Sequence, residues 1–119
     1  MPATESVPRL APLAGAAEIK DQRVASPGRT DWKIAGNGAG ETVAPDGQPV
    51  EYQFLLGGEG DFDLADYLRL MQAHGFKEPI SFEASVQCQA RPGYDGLAAA
   101  ARTYQWMRAG WERAGIPIS

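Results

Sequence analysis

Glu83 is the residue whose position points most directly to chemistry. From residue 80 to residue 86, apolar side chains alternate with Ser81, Glu83 and Ser85, which is the two-residue period of a β-strand. A parallel sheet that helices cover is buried on both faces, and an unpaired buried carboxylate costs a large amount of free energy. Glu83 therefore needs a metal ion, a basic side chain or a proton as its partner.

A second short apolar stretch ends in charged residues. Residues 16–21 read AAEIKD, which fits a buried parallel strand whose carboxyl end, at Lys20 and Asp21, opens into a polar site. An ion pair between Lys20 or Arg23 and Glu83 is the structural alternative to a metal-bound Glu83.

An amphipathic helix is predicted between the two strands. Leu64, Leu68 and Met71 have the i, i+4, i+7 spacing of one helical face. Asp63 can cap the first turn, and Gly75 stands where a left-handed residue ends a helix. The order of strand, helix and strand is that of a parallel α/β unit.

A second helix is predicted after a polar loop at residues 87–94. Asp95 is its expected cap, and Gly115 and Pro117 are its expected stop. Its predicted apolar stripe consists of Leu97, Ala101, Tyr104 and Trp111, with Ala100 and Met107 beside it.

Residues 22–57 are glycine-rich and long for a loop without secondary structure. Residues 31–35 and 50–56 are the expected arms of a β-hairpin around the turn signal Asp46-Gly47. Such a hairpin would lie over the carboxyl end of the sheet as a lid.

Composition places the chain among globular proteins and excludes some partners. Its 119 residues carry a formal net charge of −4, and its scattered basic residues argue against non-specific nucleic-acid binding, which needs clusters of them. No apolar run approaches the ~20 residues of a membrane span, and residues 1–8 are expected to be frayed rather than a signal peptide. A cytoplasmic protein is predicted, without a membrane or nucleic-acid partner.

Several segments, taken in order, resemble the closing part of the sugar phosphate isomerase/epimerase family, which has the xylose-isomerase-like TIM barrel. They are Glu18-Ile19-Lys20-Asp21, Gly58-Glu59-Gly60-Asp61, Ala73-His74-Gly75-Phe76, Ile80-Ser81-Phe82-Glu83 and, in a subset of the family, Arg91-Pro92-Gly93-Tyr94-Asp95. The resemblance implies an α/β fold in which residues 16–119 form the C-terminal βα units, about strands 7 and 8, of an incomplete TIM barrel. Residues 1–15 would be a lead-in or the end of a preceding helix.

The resemblance also implies a divalent metal, Mn²⁺, Mg²⁺, Co²⁺ or Zn²⁺, in the complete barrel. The family's eighth strand ends in a metal-binding glutamate, which Glu83 matches. The seventh strand usually carries a histidine two residues before the Lys-Asp pair, and this chain has Glu18 there, whose oxygens suit Mn²⁺ or Mg²⁺. The other ligands come from earlier strands, so the resemblance predicts a fragment that needs a missing N-terminal half or forms a homo-oligomer.

Other residues near the strand ends are candidates for substrate contacts. Lys20 and Asp21 would bind substrate or transfer protons, unless they form a salt-bridged strand end. Arg23 would hold a phosphate or a sugar hydroxyl, unless it is a solvated loop residue. Glu59 would contact the site, and Trp32 would stack on a sugar.

The resulting prediction is a fragment of a metal-dependent isomerase or epimerase of a small sugar or sugar phosphate. In such a site a metal polarises a carbonyl and a carboxylate moves a proton through an enediolate. The chain alone is expected to be inactive because ligands are missing. The alternative, which Glu18 in the histidine position motivates, is a non-catalytic barrel piece or a subunit that binds a sugar or a partner.

Overall fold

The computed structural model describes residues 3–24, 42–43, 49–50 and 52–117. They form a mixed α/β structure in which each of the described sheets has two strands. The elements are α1 (Ala3–Leu10), a short 3₁₀ helix (Ala11–Leu13), β1 (Ala17–Ile19), β2 (Asp21–Val24), β3 (Thr42–Val43), β4 (Pro49–Val50), β5 (Tyr52–Leu55), α2 (Leu64–Ala73), β6 (Ile80–Phe82), α3 (Val86–Gln89) and α4 (Gly96–Ala114).

β1 and β6 are neighbouring parallel strands, as the sequence predicts. Glu18 is opposite Ser81, and Ile19 is opposite Phe82. Both strands are shorter than predicted, because each has only three residues and Val86 begins the helix α3 instead of ending β6. Side chains alternate across a strand, so Ile19 and Phe82 share one face while Glu18 and Ser81 share the other.

Helices α2 and α4 cover the apolar face of this strand pair. The cluster beneath them has Ile19, Leu64 and Leu68 at its centre, and Phe82 and Trp106 pack against these three residues. Each fully buried side chain of this size contributes roughly 1.5–3 kcal/mol. A ladder of two short strands is marginal by itself, so this cluster holds β1 and β6 together.

Helix α2 begins and ends where the sequence predicts. Asp63 caps it by accepting a hydrogen bond from the Asp66 amide at 3.0 Å. Gly75 follows the helix with a φ of 81°, which is the left-handed conformation that favours glycine. Leu64, Leu68 and Met71 are buried, so the predicted apolar face is confirmed.

Helix α4 has the predicted cap but not the predicted stripe. The Asp95 carboxylate accepts hydrogen bonds from the amides of Leu97 and Ala98. Leu97 and Tyr104, however, are 83% and 60% exposed, so the first half of the predicted stripe is wrong. The buried residues of the helix are Ala99, Thr103 and Gly110. Small side chains let neighbouring backbone approach this face, which the larger Leu97 and Tyr104 would prevent.

Two other expectations are corrected. Residues 3–10 form α1 instead of a frayed start, because Val7 is buried in a cluster with Met71 and Phe76. Residues 50–56 are not one hairpin arm: β4 pairs antiparallel with β3, whereas β5 pairs antiparallel with β2. The other predicted arm, residues 31–35, and the turn at residues 46–47 lie outside the described residues.

Gly110 lies at the contact between α2 and α4, where a larger residue would not fit. A Cβ atom at this position would be 2.5 Å from Leu64 Cδ2 and 2.8 Å from Leu64 Cγ, and Leu64 is fully buried. Overpacking a core costs about 1–3 kcal/mol, whereas alanine gains about 1 kcal/mol of helix propensity over glycine. The 2.5 Å contact puts the overpacking cost in the upper part of that range, so we expect Gly110→Ala to lower the free energy of unfolding by roughly 1–2 kcal/mol, as measured by urea denaturation.

The matched control is Gly96→Ala, at the first position of the same helix. Its Cβ atom would be 3.8 Å from the nearest atom of Tyr94, an ordinary contact, so no loss of stability is expected. A Gly110→Ala protein as stable as the wild type would contradict this account of the α2–α4 contact.

Candidate functional site

The face of β1 and β6 that is opposite α2 and α4 carries polar side chains. Glu18, Ser81 and Glu83 are exposed, and Lys20 is half-buried. The Glu83 amide donates a hydrogen bond to the Ile19 carbonyl at 3.0 Å, which extends the parallel ladder by one residue. The structure therefore brings three predicted site residues, Glu18, Lys20 and Glu83, to the carboxyl ends of adjacent strands.

Lys20 and Glu83 form an ion pair. The distance from Lys20 Nζ to Glu83 Oε2 is 2.9 Å, and the side chains are 32% and 44% exposed. Lys20 Nζ also lies 5.0 Å from the centroid of the Phe54 ring, which favours the cation. The structural alternative from the sequence, a pair between Lys20 and Glu83, is thus confirmed as a contact.

Glu18 belongs to the same group of charges. The hydrogen bond from Lys20 lowers the pKa of the Glu83 carboxyl below its usual value, and a side-chain hydrogen bond with Glu18 acts in the same direction. The strand register places Glu18 and Glu83 on the same face of the strand pair, so one cation could reach both carboxylates.

Asp21 has a different environment, although it follows Lys20 directly. It is 1% exposed, and its carboxylate accepts hydrogen bonds from four backbone amides. Oδ1 accepts from Gln22 at 2.8 Å and Phe62 at 3.2 Å, and Oδ2 accepts from Gly58 and Gly60, both at 2.9 Å. These amides account for the roughly four acceptor positions of a carboxylate, so Asp21 holds the loop at residues 57–62 in place.

Close contacts explain the glycines of this loop, and Asp21 makes one of them. Gly58 has a φ of 89° and lies against the Trp106 ring, whereas a Cβ atom at Gly60 would collide with the Asp21 carboxylate and the Gln22 carbonyl. The sequence did not identify Asp21 as the anchor of the Gly58-Glu59-Gly60 segment. The sequence does contain a signal for such an anchor. Several glycines follow one another in this loop, and their backbone amides need an acceptor, such as a carboxylate, when the loop packs against the protein.

Glu59 and Arg23 contact each other and do not join the Glu83 group in the described structure. Arg23 Nη2 donates to the Glu59 carbonyl at 2.6 Å. The Glu59 carboxylate binds two further arginines, with Arg91 Nη1 2.8 Å from Oε2 and Arg102 Nη1 3.2 Å from Oε1. Arg91 and Arg102 were not predicted from the sequence as contacts of Glu59. Trp32, the predicted stacking residue, lies outside the described residues.

The arginines determine the charge state of Glu59. Burial by itself raises the pKa of this carboxyl, but hydrogen bonds from Arg91 and the Leu56 amide and the charges of Arg91 and Arg102 outweigh it. The pKa is therefore lower than usual. Glu59 is accordingly ionised at neutral pH and fixes the two guanidinium groups beside the loop.

A divalent metal ion fits this structure only in part. The carboxylates of Glu18 and Glu83 are the oxygen ligands that Mn²⁺ and Mg²⁺ prefer. Within residues 3–24 and 52–117, however, no three His, Cys, Asp or Glu side chains form a group able to hold a metal, and Lys20 already binds Glu83. The described residues thus offer two carboxylates, and a metal held by them would take the rest of its coordination sphere from elsewhere.

Comparison with models of protein families, with curated proteins and with solved structures finds no match to this chain. Among the described helices, none has the length and apolar character that crossing a membrane requires. The similarity to the sugar phosphate isomerase/epimerase family therefore stays a prediction from the residues quoted above.

The role of Asp21 is testable by an isosteric change. In Asp21→Asn, the new amide group faces backbone N–H donors, so buried donors lose their acceptor. Such losses cost about 1–3 kcal/mol each, and we expect a total loss of about 2–4 kcal/mol in unfolding free energy. Asp61→Asn, an exposed position in the same loop, is the control and should stay within about 0.5 kcal/mol of wild type. Equal stabilities of the two variants would refute the anchor role.

The Lys20–Glu83 pair predicts a pH effect. Because the pKa of Glu83 is lowered in the folded protein, the pair's stabilisation is present above the unfolded pKa of about 4.3. It is lost as the pH falls through the lowered pKa. Lys20→Gln should raise the pKa of Glu83 in a carboxyl-detected NMR titration, whereas Lys77→Gln, an exposed lysine outside the pair, should leave it unchanged. A Glu83 titration that is identical in both variants would show that the pair does not persist in solution.

Proposed function

We propose that this chain contributes the carboxyl ends of two strands to a metal-dependent isomerase or epimerase of a small sugar or sugar phosphate. The observation that carries the proposal is the placement of Glu18 and Glu83 on one face of a parallel strand pair. Helices α2 and α4 cover the opposite face. Polar residues at the carboxyl ends of helix-covered parallel strands are the arrangement of active sites in βα barrels.

In this proposal the chain forms βα units of an incomplete barrel. β1 and β6 pair only with each other among the described strands, so each has an outer edge that can accept another strand. Exposed strand edges recruit partners. The remaining strands would come from an N-terminal part of the barrel or from another copy of the chain, and they would supply the remaining metal ligands.

The chemistry of the polar face suits proton transfer next to a carbonyl. Glu83 and Glu18 would hold a divalent ion, and a bound ion polarises a carbonyl oxygen and the neighbouring hydroxyl. Isomerisation moves a proton between adjacent carbons, so it needs a base and an acid within hydrogen-bond reach. A carboxylate of the pair can accept that proton, and the Lys20 ammonium can donate one to a substrate oxygen. Asp21 would position Lys20 by holding the residues that follow it.

A non-catalytic role is the second candidate, and the Lys20–Glu83 contact favours it. An ammonium group 2.9 Å from Glu83 Oε2 already neutralises the carboxylate that would bind the metal. In this reading the chain binds a sugar or a partner without turnover, and the ion pair is structural.

Mn²⁺ binding separates the two candidates. We expect Mn²⁺ at millimolar concentration to broaden the amide NMR signals around Glu18, Lys20, Ser81 and Glu83 before others, because two carboxylates there share one cation. The double variant Glu18→Gln/Glu83→Gln should weaken this binding at least tenfold. Both side chains are exposed, so the variant should fold. The chain alone should not epimerise a ketose, because part of the ligand set is missing.

The matched control is Glu78→Gln, an exposed carboxylate near the opposite end of β6. It should leave the Mn²⁺ effect unchanged. Broadening that spreads evenly over the surface carboxylates, or that survives in the double variant, would exclude the metal site and leave the non-catalytic candidate.

A further inference from the structure

Three arginines surround one glutamate on the loop that precedes α2. Arg91 and Arg102 bind the Glu59 carboxylate, and Arg23 binds its backbone carbonyl. Asp95 and the buried Asp21, which anchors the same loop, lie nearby, so three guanidinium groups meet three carboxylates. Asp21 and Asp95 accept hydrogen bonds from backbone amides, whereas Glu59 is the carboxylate that binds the arginines.

The arginines have hydrogen-bond donors to spare. A guanidinium group offers five N–H donors, and Arg102, whose side chain is 60% exposed, uses Nη1 for Glu59. Within the described residues Arg102 has no other acceptor. Arg91 donates to Glu59 through Nη1, and its Nη2 lies 3.9 Å from the Cys88 sulfur. Glu59 therefore positions the guanidinium groups of Arg91 and Arg102 but leaves some of their N–H donors without an acceptor among the described residues.

Both arginines line the same cleft, which has a volume of about 260 Å³. Leu56 and Ala99, which are buried, form part of its wall. An apolar wall lowers the local dielectric constant and strengthens the interaction of a charged ligand with the arginines. Asp95 also lines the cleft, but its Oδ1 accepts hydrogen bonds from two amides of α4, which offset part of its charge.

We propose that this cleft binds a phosphate group through Arg102 and Arg91. A phosphate ester carries about −1.5 to −2 charges at pH 7 and three acceptor oxygens, so it can bridge two guanidinium groups that one carboxylate leaves unsaturated. Glu59 acts as an internal competitor that holds the arginines in place and limits their affinity for anions. The ligand is inorganic phosphate or a small phosphate ester, and the site is independent of the metal site proposed above.

The experiment is an NMR titration of the full chain, with phosphate exchanged for chloride at constant ionic strength and pH. We expect shifts of the Arg91 and Arg102 Nε–H signals and of the amides of residues 91–95. Arg102→Gln should weaken phosphate binding at least fivefold. Arg108→Gln is the matched control, because Arg108 is also exposed on α4 but pairs with Glu112; it should change binding less than twofold.

Two further measurements identify the ligand and test whether Glu59 competes with it for the arginines. Glucose 6-phosphate that binds at least as tightly as inorganic phosphate would indicate an ester ligand, and weaker binding would indicate free phosphate; glucose should not bind.

Glu59→Gln should tighten phosphate binding at least threefold, which loss of a purely structural ion pair would not do. The proposal is wrong if acetate shifts the same signals as strongly as phosphate, or if Arg102→Gln and Arg108→Gln bind phosphate equally. No metal is added, so this result is independent of the Mn²⁺ experiment.

Discussion

The buried carboxylate of Asp21 is the interaction on which the arrangement of this chain depends. A charge removed from water is tolerated only when hydrogen bonds replace its hydration, and here four backbone amides do so. Three of them belong to residues 58, 60 and 62, so the carboxylate fixes the loop that leads into α2. It also lies directly after Lys20, and strand alternation then turns Lys20 towards the opposite, polar side. This buried carboxylate thereby helps to position both the Lys20–Glu83 pair and the loop that carries Glu59.

Five acidic residues in the described part of the chain fall into two groups with different chemical availability. Asp21, Asp63 and Asp95 accept hydrogen bonds from backbone amides and serve the loop and the two long helices. Glu83 is bound by a basic side chain, and Glu59 is bound by basic side chains together with the Leu56 amide. A cation or an anion can displace such a side-chain partner without unfolding an element, whereas displacing backbone amides would disrupt one. Among these five residues, binding chemistry is therefore expected at Glu59 and Glu83.

Local features of this fold were predictable from the sequence, and contacts between distant segments were not. The caps Asp63 and Asp95 act within three residues of themselves, so residue type and spacing reveal them. The pairing of β5 with β2 joins residues about thirty positions apart, and no local pattern specifies it. The stripe of α4 was misassigned because alanines occur on several faces of the helix, and only the close approach of α2 and the loop selects Ala99 and Gly110. Glu18 and Glu83 were predictable as neighbours through the strand order, but the convergence of Arg91 and Arg102 on Glu59 needed the tertiary structure.

The polar face of β1 and β6 contributes little to folding, and this bears on its role. The stabilising contacts of the strand pair lie on the other side, where Ile19 packs with Leu64 and Leu68. Exposed side chains away from caps and cores change stability by only about 0.5 kcal/mol when replaced, which applies to Glu18 and Ser81. A parallel strand pair whose second face is polar is unusual, because parallel sheets are normally buried on both faces. The fold does not require charges at these positions, so they are free to serve either as a structural ion pair or as a binding site.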